Sequence, residues 1–272
     1  MEREAATTVA VDAQPGGRST RADERTGKES LSPMTTRDLP LTASTRRITQ
    51  VLWTIAVLLV LASLAGQLSR FLLHHDQVHG LVYLFNVDRE ENVPTLFSVC
   101  LLAFAATLLA VLTLLKKRDG DPDLWRWALL AFGFWYMSVD EAWSSHEKLV
   151  RPLRGMVGDG ASGALYFTWV IPALALVALL GLVYLRFLLR LPRSTRIRFV
   201  VAAALYLGGA IGMELIGGRY AELHQTRTLT YNLIVTAEEG LEMAGSIAFI
   251  HALLVYFGEQ YGEVRFQVSR DA

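Results

Sequence analysis

The sequence is poorest in cysteine, and that absence excludes a good deal. One cysteine, Cys100, stands among 272 residues, so neither an internal disulfide nor a thiolate metal cluster is open to the chain. Set within an apolar run, Cys100 reads as a small buried side chain. A surplus of either charge is missing too. Lys and Arg total 26 and Asp and Glu total 26, which argues against nucleic acid as a partner. No internal repeat stands out, and no long hydrophilic domain interrupts the apolar stretches. No basic opening followed by a short apolar core begins the chain, so no cleavable signal peptide is expected.

What the chain has instead is long apolar runs. Hydrophobic residues make up 52% of it and the mean hydropathy is +0.33. The runs reach about 20 residues, long enough to cross a hydrocarbon core about 30 Å thick. The fold class expected is therefore all-α, a polytopic membrane bundle of six transmembrane helices. Residues 1–45 are rich in Thr, Ser, Arg, Gly, Asp and Glu and carry too little apolar surface to offset the entropy of ordering. They read as a disordered cytoplasmic tail before a transmembrane domain at 46–258, with a short tail at 259–272.

Six spans are expected, at about 48–73, 94–115, 121–147, 164–189, 197–217 and 231–257. Pro94 suits a helix start, where a missing N–H removes no bond. Asp121, Pro122 and Asp123 form a capping signal before the third span. Pro172 predicts a kink in the fourth. Ala204, Gly208 and Gly212 give the fifth a face of small residues for close helix packing. Basic residues set the orientation: Arg46 and Arg47, then Lys116, Lys117 and Arg118, then Arg186, Arg190, Arg193, Arg196 and Arg198 fall on one side. Both termini are then cytoplasmic, in a multi-pass protein of the inner cell membrane. Trp125 and Trp127 fit an interfacial aromatic belt on that side.

The last span is unusual because it carries Glu238, Glu239 and Glu242. At 100° per residue these fall within an arc of about 100°. Carboxylates so close in a low dielectric need a cation, protons or basic partners. A rise of about 1.5 Å per residue puts them roughly 10–17 Å below the outer end of the span. Asp140 and Glu141 on the third span, and Glu214 on the fifth, reach a similar outer layer, with His146 and Glu147 at its outer boundary. Asp140 and Glu147 are seven residues apart, and a continuous helix would put them on one face with Ser144 between them. Glu214 lies about 200° from Gly212 on an ideal helix, away from the small-residue face. Residues 74–94, with His74, His75, Asp76 and His79 and an apolar patch at 81–85, form a loop long enough to fold back as a lid. His224 reads as a solvated loop residue, and His251 lies too deep to join the layer.

The runs FNVDREENVPTLFS (85–98), SVDEAWSSHE (138–147) and AEEGLEM (237–243) resemble a family of uncharacterised small bacterial multi-span integral membrane proteins. The likeness extends over about residues 85–250. It implies an integral membrane protein and brings no activity with it.

Three accounts of the acidic layer stay open on the residues alone. The one the residues favour is a metal site for Zn, Mn or Fe held by Asp140, His146, Glu147, Glu214, Glu238 and Glu242. Such a site would serve a metal-dependent membrane enzyme of hydrolase or oxidoreductase type, acting on a lipid-soluble substrate. Di-iron chemistry is disfavoured, because no span carries a Glu-x-x-His pair. The second is a proton- or cation-coupled transporter using the same carboxylates. The third is a structural bundle whose acids pair with Arg70, Arg151, Arg154 or Arg219.

Overall fold

A computed structural model describes residues 44–72, 81–87, 92–157 and 162–262, with the backbone alone at 81, 82, 146 and 147. Residues 1–43 and 263–272 of the proposed tails and the histidines at 74, 75 and 79 lie outside these residues, as does Asp76. The second tail begins later than expected, because α9 continues to Tyr261. All described residues belong to one unit, Leu41–Ala272. Among them the secondary structure is entirely helical, with no strand.

The helices are α1 (Thr45–Leu72), α2 (Leu81–Phe85), α3 (Val93–Arg118), α4 (Leu124–Trp143), α5 (Ser145–Val157), α6 (Val170–Arg190), α7 (Arg193–Leu207), α8 (Glu214–His224) and α9 (Leu229–Tyr261). A π-helical turn, Gly208–Met213, joins α7 to α8 without a break. Five segments are long and apolar enough to cross a membrane: α1, α3, α6, α9 and the composite Arg193–His224. They suggest a membrane-embedded protein. At about 1.5 Å per residue, the 20 residues of α4 would also reach across. Its Trp, Tyr, Arg126, Asp140 and Glu141 dilute its apolar character, and it is not among the five.

Helix starts follow the local chemistry. The Asn92 side chain accepts from Thr95 N at 3.1 Å, capping α3 just before Pro94. Thr228 does the same for α9, accepting from Tyr231 N at 3.1 Å. These bonds satisfy amide donors that a helix leaves orphaned at its first turn.

Helix α9 is the axis of the bundle, with α1, α3, α7 and the π turn packed around it. Antiparallel register with α1 is set by two contacts. Thr49 Oγ1 lies 3.2 Å from His251 Nδ1, and a Cβ on Gly240 would come 3.7 Å from Val60 Cγ2. One buried stripe of α3, Leu101, Ala105, Leu109 and Leu112, meets Ile247, Ile250 and Leu253 of α9 in the core. Trp127 closes the core at the end where α4 begins. Its ring meets Phe187 edge-on at 4.9 Å and Phe199 at 6.3 Å, and stacks on Tyr256 at 5.5 Å.

Four expectations from the sequence are corrected. Trp127 is 1% exposed and belongs to the core, whereas Trp125 is exposed with Arg126 against its ring. Pro172 sits in the first turn of α6, where no intrahelical N–H is needed, so it starts a helix and does not bend one. Cys100 is exposed on α3, because the buried stripe of that helix runs through Ser98, Leu101 and Leu102. Close helix approach uses Gly209 and Gly245 in place of Gly208 and Gly212. A Cβ on Gly208 would meet nothing within 4 Å, while one on Gly245 would lie 2.5 Å from Tyr206 N.

Candidate acidic site between α7, α8 and α9

The site forms where the π turn passes α9. A Cβ on Gly209 would lie 2.7 Å from Glu238 O and 2.9 Å from Glu242 Cγ, so only glycine lets the two backbones approach this closely. A π turn holds one more residue than an α turn, which rotates everything after it relative to α7. This resolves the placement of Glu214. An ideal helix turns it off the packed face, whereas the π turn delivers it to the α9 side.

There Glu214 and Glu238 are joined by a side-chain hydrogen bond. Glu214 Oε1 also accepts from Trp169 Nε1 at 2.7 Å. Glu239 and Glu242 lie within electrostatic reach of Glu238. One turn of α7 before Gly209, the Tyr206 hydroxyl hydrogen-bonds Glu242 and feels Glu141 and Glu239. The described cluster thus comprises Glu141, Glu214, Glu238, Glu239 and Glu242 with Tyr206 and Trp169. Two carboxyls at hydrogen-bond distance need something positive between them, a shared proton or a cation.

Of the six residues expected as metal ligands, Glu214, Glu238 and Glu242 come together. Asp140 sits on α4 near its end and, like Glu141, Glu239 and Glu242, takes part in polar interactions. The side chains of His146 and Glu147 lie outside the described residues. The heptad relation between Asp140 and Glu147 does not survive, because the helix breaks at Ser144. That residue is left-handed, with φ 44° and ψ 47°, and α5 sets off from Ser145 in a new direction. Among the described residues, no group of three or more His, Cys, Asp or Glu is arranged to hold a metal ion.

Two of the four arginines offered as structural partners are used elsewhere. Arg219 pairs with Glu222 at 2.9 Å. Arg154 donates to the Tyr166 carbonyl and lies over its ring at 4.6 Å. His224 stacks on Tyr220, and His251 pairs with Thr49 at the far end of α9.

The apolar patch after α1 does fold back. Asn86 accepts from Gln67 Nε2 at 2.6 Å, and Val87 N donates to Ser63 Oγ at 3.3 Å. Both contacts tie the segment to the C-terminal half of α1. Gln67 and Asn232 each keep a buried amide oxygen with no hydrogen-bond partner among the described residues.

Sequence reasoning missed Tyr206 and Trp169. Each is one aromatic in an apolar run, and nothing in its spacing distinguishes it from core. The signal available was indirect: a buried Trp N–H or Tyr O–H needs an acceptor, and carboxylates were the acceptors at that depth.

Over residues 42–257 the chain matches the family model described as Domain of unknown function (DUF8692). It belongs to that family. No curated protein and no solved structure matches it.

Proposed function

We propose that the protein crosses the inner cell membrane six times, with α4 as the sixth span and both termini cytoplasmic, and works through its acidic layer by taking up and releasing a proton or cation. The observation that carries this is the direct Glu214–Glu238 hydrogen bond inside a group of five carboxyls. Membrane carboxyls placed so are suited to coupled protonation, one proton serving the group and moving with its ligand. Tyr206 and Trp169 fit the same task, since each offers a donor to a carboxylate without bringing a permanent charge. The proton- or cation-coupled transporter is therefore the reading supported best.

A second reading has its own support. Five carboxyls with a phenol form a hard oxygen-rich set of the kind that Zn, Mn or Fe accepts. In that reading Asp140, His146, Glu147, Glu214, Glu238 and Glu242 would hold the metal, which would supply Lewis acidity or an activated water for a lipid-soluble substrate.

One preparation tests both. In proteoliposomes, a pH gradient should drive a flux of ion or solute that Glu238→Gln and Glu214→Gln each abolish, in protein that still folds. Elemental analysis of the purified protein should then find no stoichiometric metal. A tightly held metal, lost in Glu242→Ala and Asp140→Ala, would overturn the transport reading in favour of the metal enzyme.

A further inference from the structure

At the opposite end of the bundle from the acids, α1 and α9 leave a groove of about 740 Å³. It is lined by Thr45, Arg46, Thr49, Gln50, Trp53, Thr54, His251 and Val255. That volume is in the range of small-molecule sites. We propose that this groove is a binding site for the headgroup of an anionic phospholipid in the adjoining leaflet.

The lining is the first argument. It offers a guanidinium from Arg46, an imidazole, the Thr45 hydroxyl and an amide, and no carboxylate, the Thr49 and Thr54 hydroxyls lying against carbonyls of their own helix. Such a set is complementary to a phosphodiester. Guanidinium pairs with phosphate oxygens through a planar fork of donors. The first turn of α1 contains no acidic residue to compete for Arg46. The nearby acid of α9, Glu259, is paired with Arg198 of α7 at 3.1 Å.

The hydrogen bonding is the second. Thr49 Oγ1 lies 2.9 Å from Thr45 O and 3.2 Å from His251 Nδ1. In the tautomer with the proton on Nε2, Nδ1 accepts from Thr49 and the Nε2–H is left to donate to a phosphate oxygen. His251 is thereby held in a fixed orientation, and Nε2 remains for a groove ligand. This is a different role from the acidic layer, which His251 does not approach.

The third is what lies beyond the rim. Trp53 is exposed, as are Val57 and Leu61 one and two turns further along the same face of α1. An indole in the rim matches the headgroup level that Trp prefers, and the aliphatic surface above it can follow acyl chains. A free phosphate would use the polar floor alone and leave this track unoccupied.

Native mass spectrometry of the full chain, released from detergent with added lipid, tests the proposal. Phosphatidylglycerol should remain bound as a discrete adduct where phosphatidylcholine at the same concentration does not. Arg46→Gln should weaken the adduct about fivefold, the size expected of one basic residue at an anionic surface. His251→Phe should weaken it while leaving the fold intact. Arg193→Gln, at the start of α7, should leave the adduct unchanged. Equal retention of both lipids, or indifference to Arg46→Gln, would overturn the site. So would displacement of the lipid by millimolar inorganic phosphate, which would identify a free-anion pocket. Absence of any adduct in the full chain would likewise overturn the site.

Discussion

The two ends of this bundle treat charge in opposite ways. At the end where α4 begins, every named acid has a cation or hydroxyl beside it. Asp123 pairs with both Arg126 and Arg190, Asp121 with Lys116 at 3.2 Å, and Asp119 accepts from Tyr261 Oη at 2.9 Å. Tyr184 Oη donates to Arg126 O at 2.7 Å, fastening α6 to α4. Beneath this network sits the aromatic core around Trp127. At the other end, acids press on acids, and the named partners are an indole, a phenol and each other. Paired charges over close-packed rings make a fastening. Crowded carboxyls beside an indole and a phenol would, in the proposed function, be the group whose charge changes.

The sharpest way to break that comparison is to delete from each half. Trp127→Ala should lower stability by about 3–5 kcal/mol, the usual consequence of emptying a large aromatic site, read as unfolding of the protein in detergent. Glu238→Gln should change stability by no more than about 1 kcal/mol while removing flux. If Glu238→Gln unfolds the protein as severely as Trp127→Ala, the acidic layer is structural and the comparison fails.

Gly245→Ala comes next. Its new methyl would lie 2.5 Å from Tyr206 N and 2.7 Å from Tyr206 Cα, which are backbone atoms that no rotamer change can clear. Forcing α7 from α9 should destabilise by about 1–3 kcal/mol and separate Tyr206 from Glu242. Gly181→Ala on α6, where nothing lies within 4 Å, is its control and should shift the same unfolding curve by no more than about 0.5 kcal/mol.

Trp169→Phe completes the series. It keeps the ring volume and removes the N–H that Glu214 accepts. Loss of one hydrogen bond to a buried carboxyl should destabilise by about 1–2 kcal/mol. The pH dependence of flux should move with it, which a purely structural bond would not cause. An unchanged profile would detach Trp169 from the working group.

Much of the architecture was legible in the chain. Runs of about 20 apolar residues placed α1, α3, α6, the α7–α8 composite and α9, and Pro94 marked a start that the structure keeps. Arc and depth arguments could put Glu214 in the same layer as Glu238, but not on the same side of its helix. The heptad from Asp140 to Glu147 failed for a related reason, since it assumes an unbroken helix through Ser144. Helical arithmetic has no means of registering a π turn or a left-handed residue. Ser144 carries no mark of its own, being neither Gly nor Asn, and its conformation depends on what surrounds it.

The sequence by itself determined that this chain is helical, that most of its helices are apolar for a bilayer's width, and that acidic residues fall at one depth. Those properties are local, set by composition and by a fixed rise per residue. Only the tertiary structure decided which acids meet, because that depends on rotation about each helix axis. Gly209 and Gly245 let α7 approach α9, the π turn swings Glu214 inward, and Tyr206 and Trp169 then find their acceptors. Rotation is fixed by packing between distant segments, and no stretch of the chain encodes it alone.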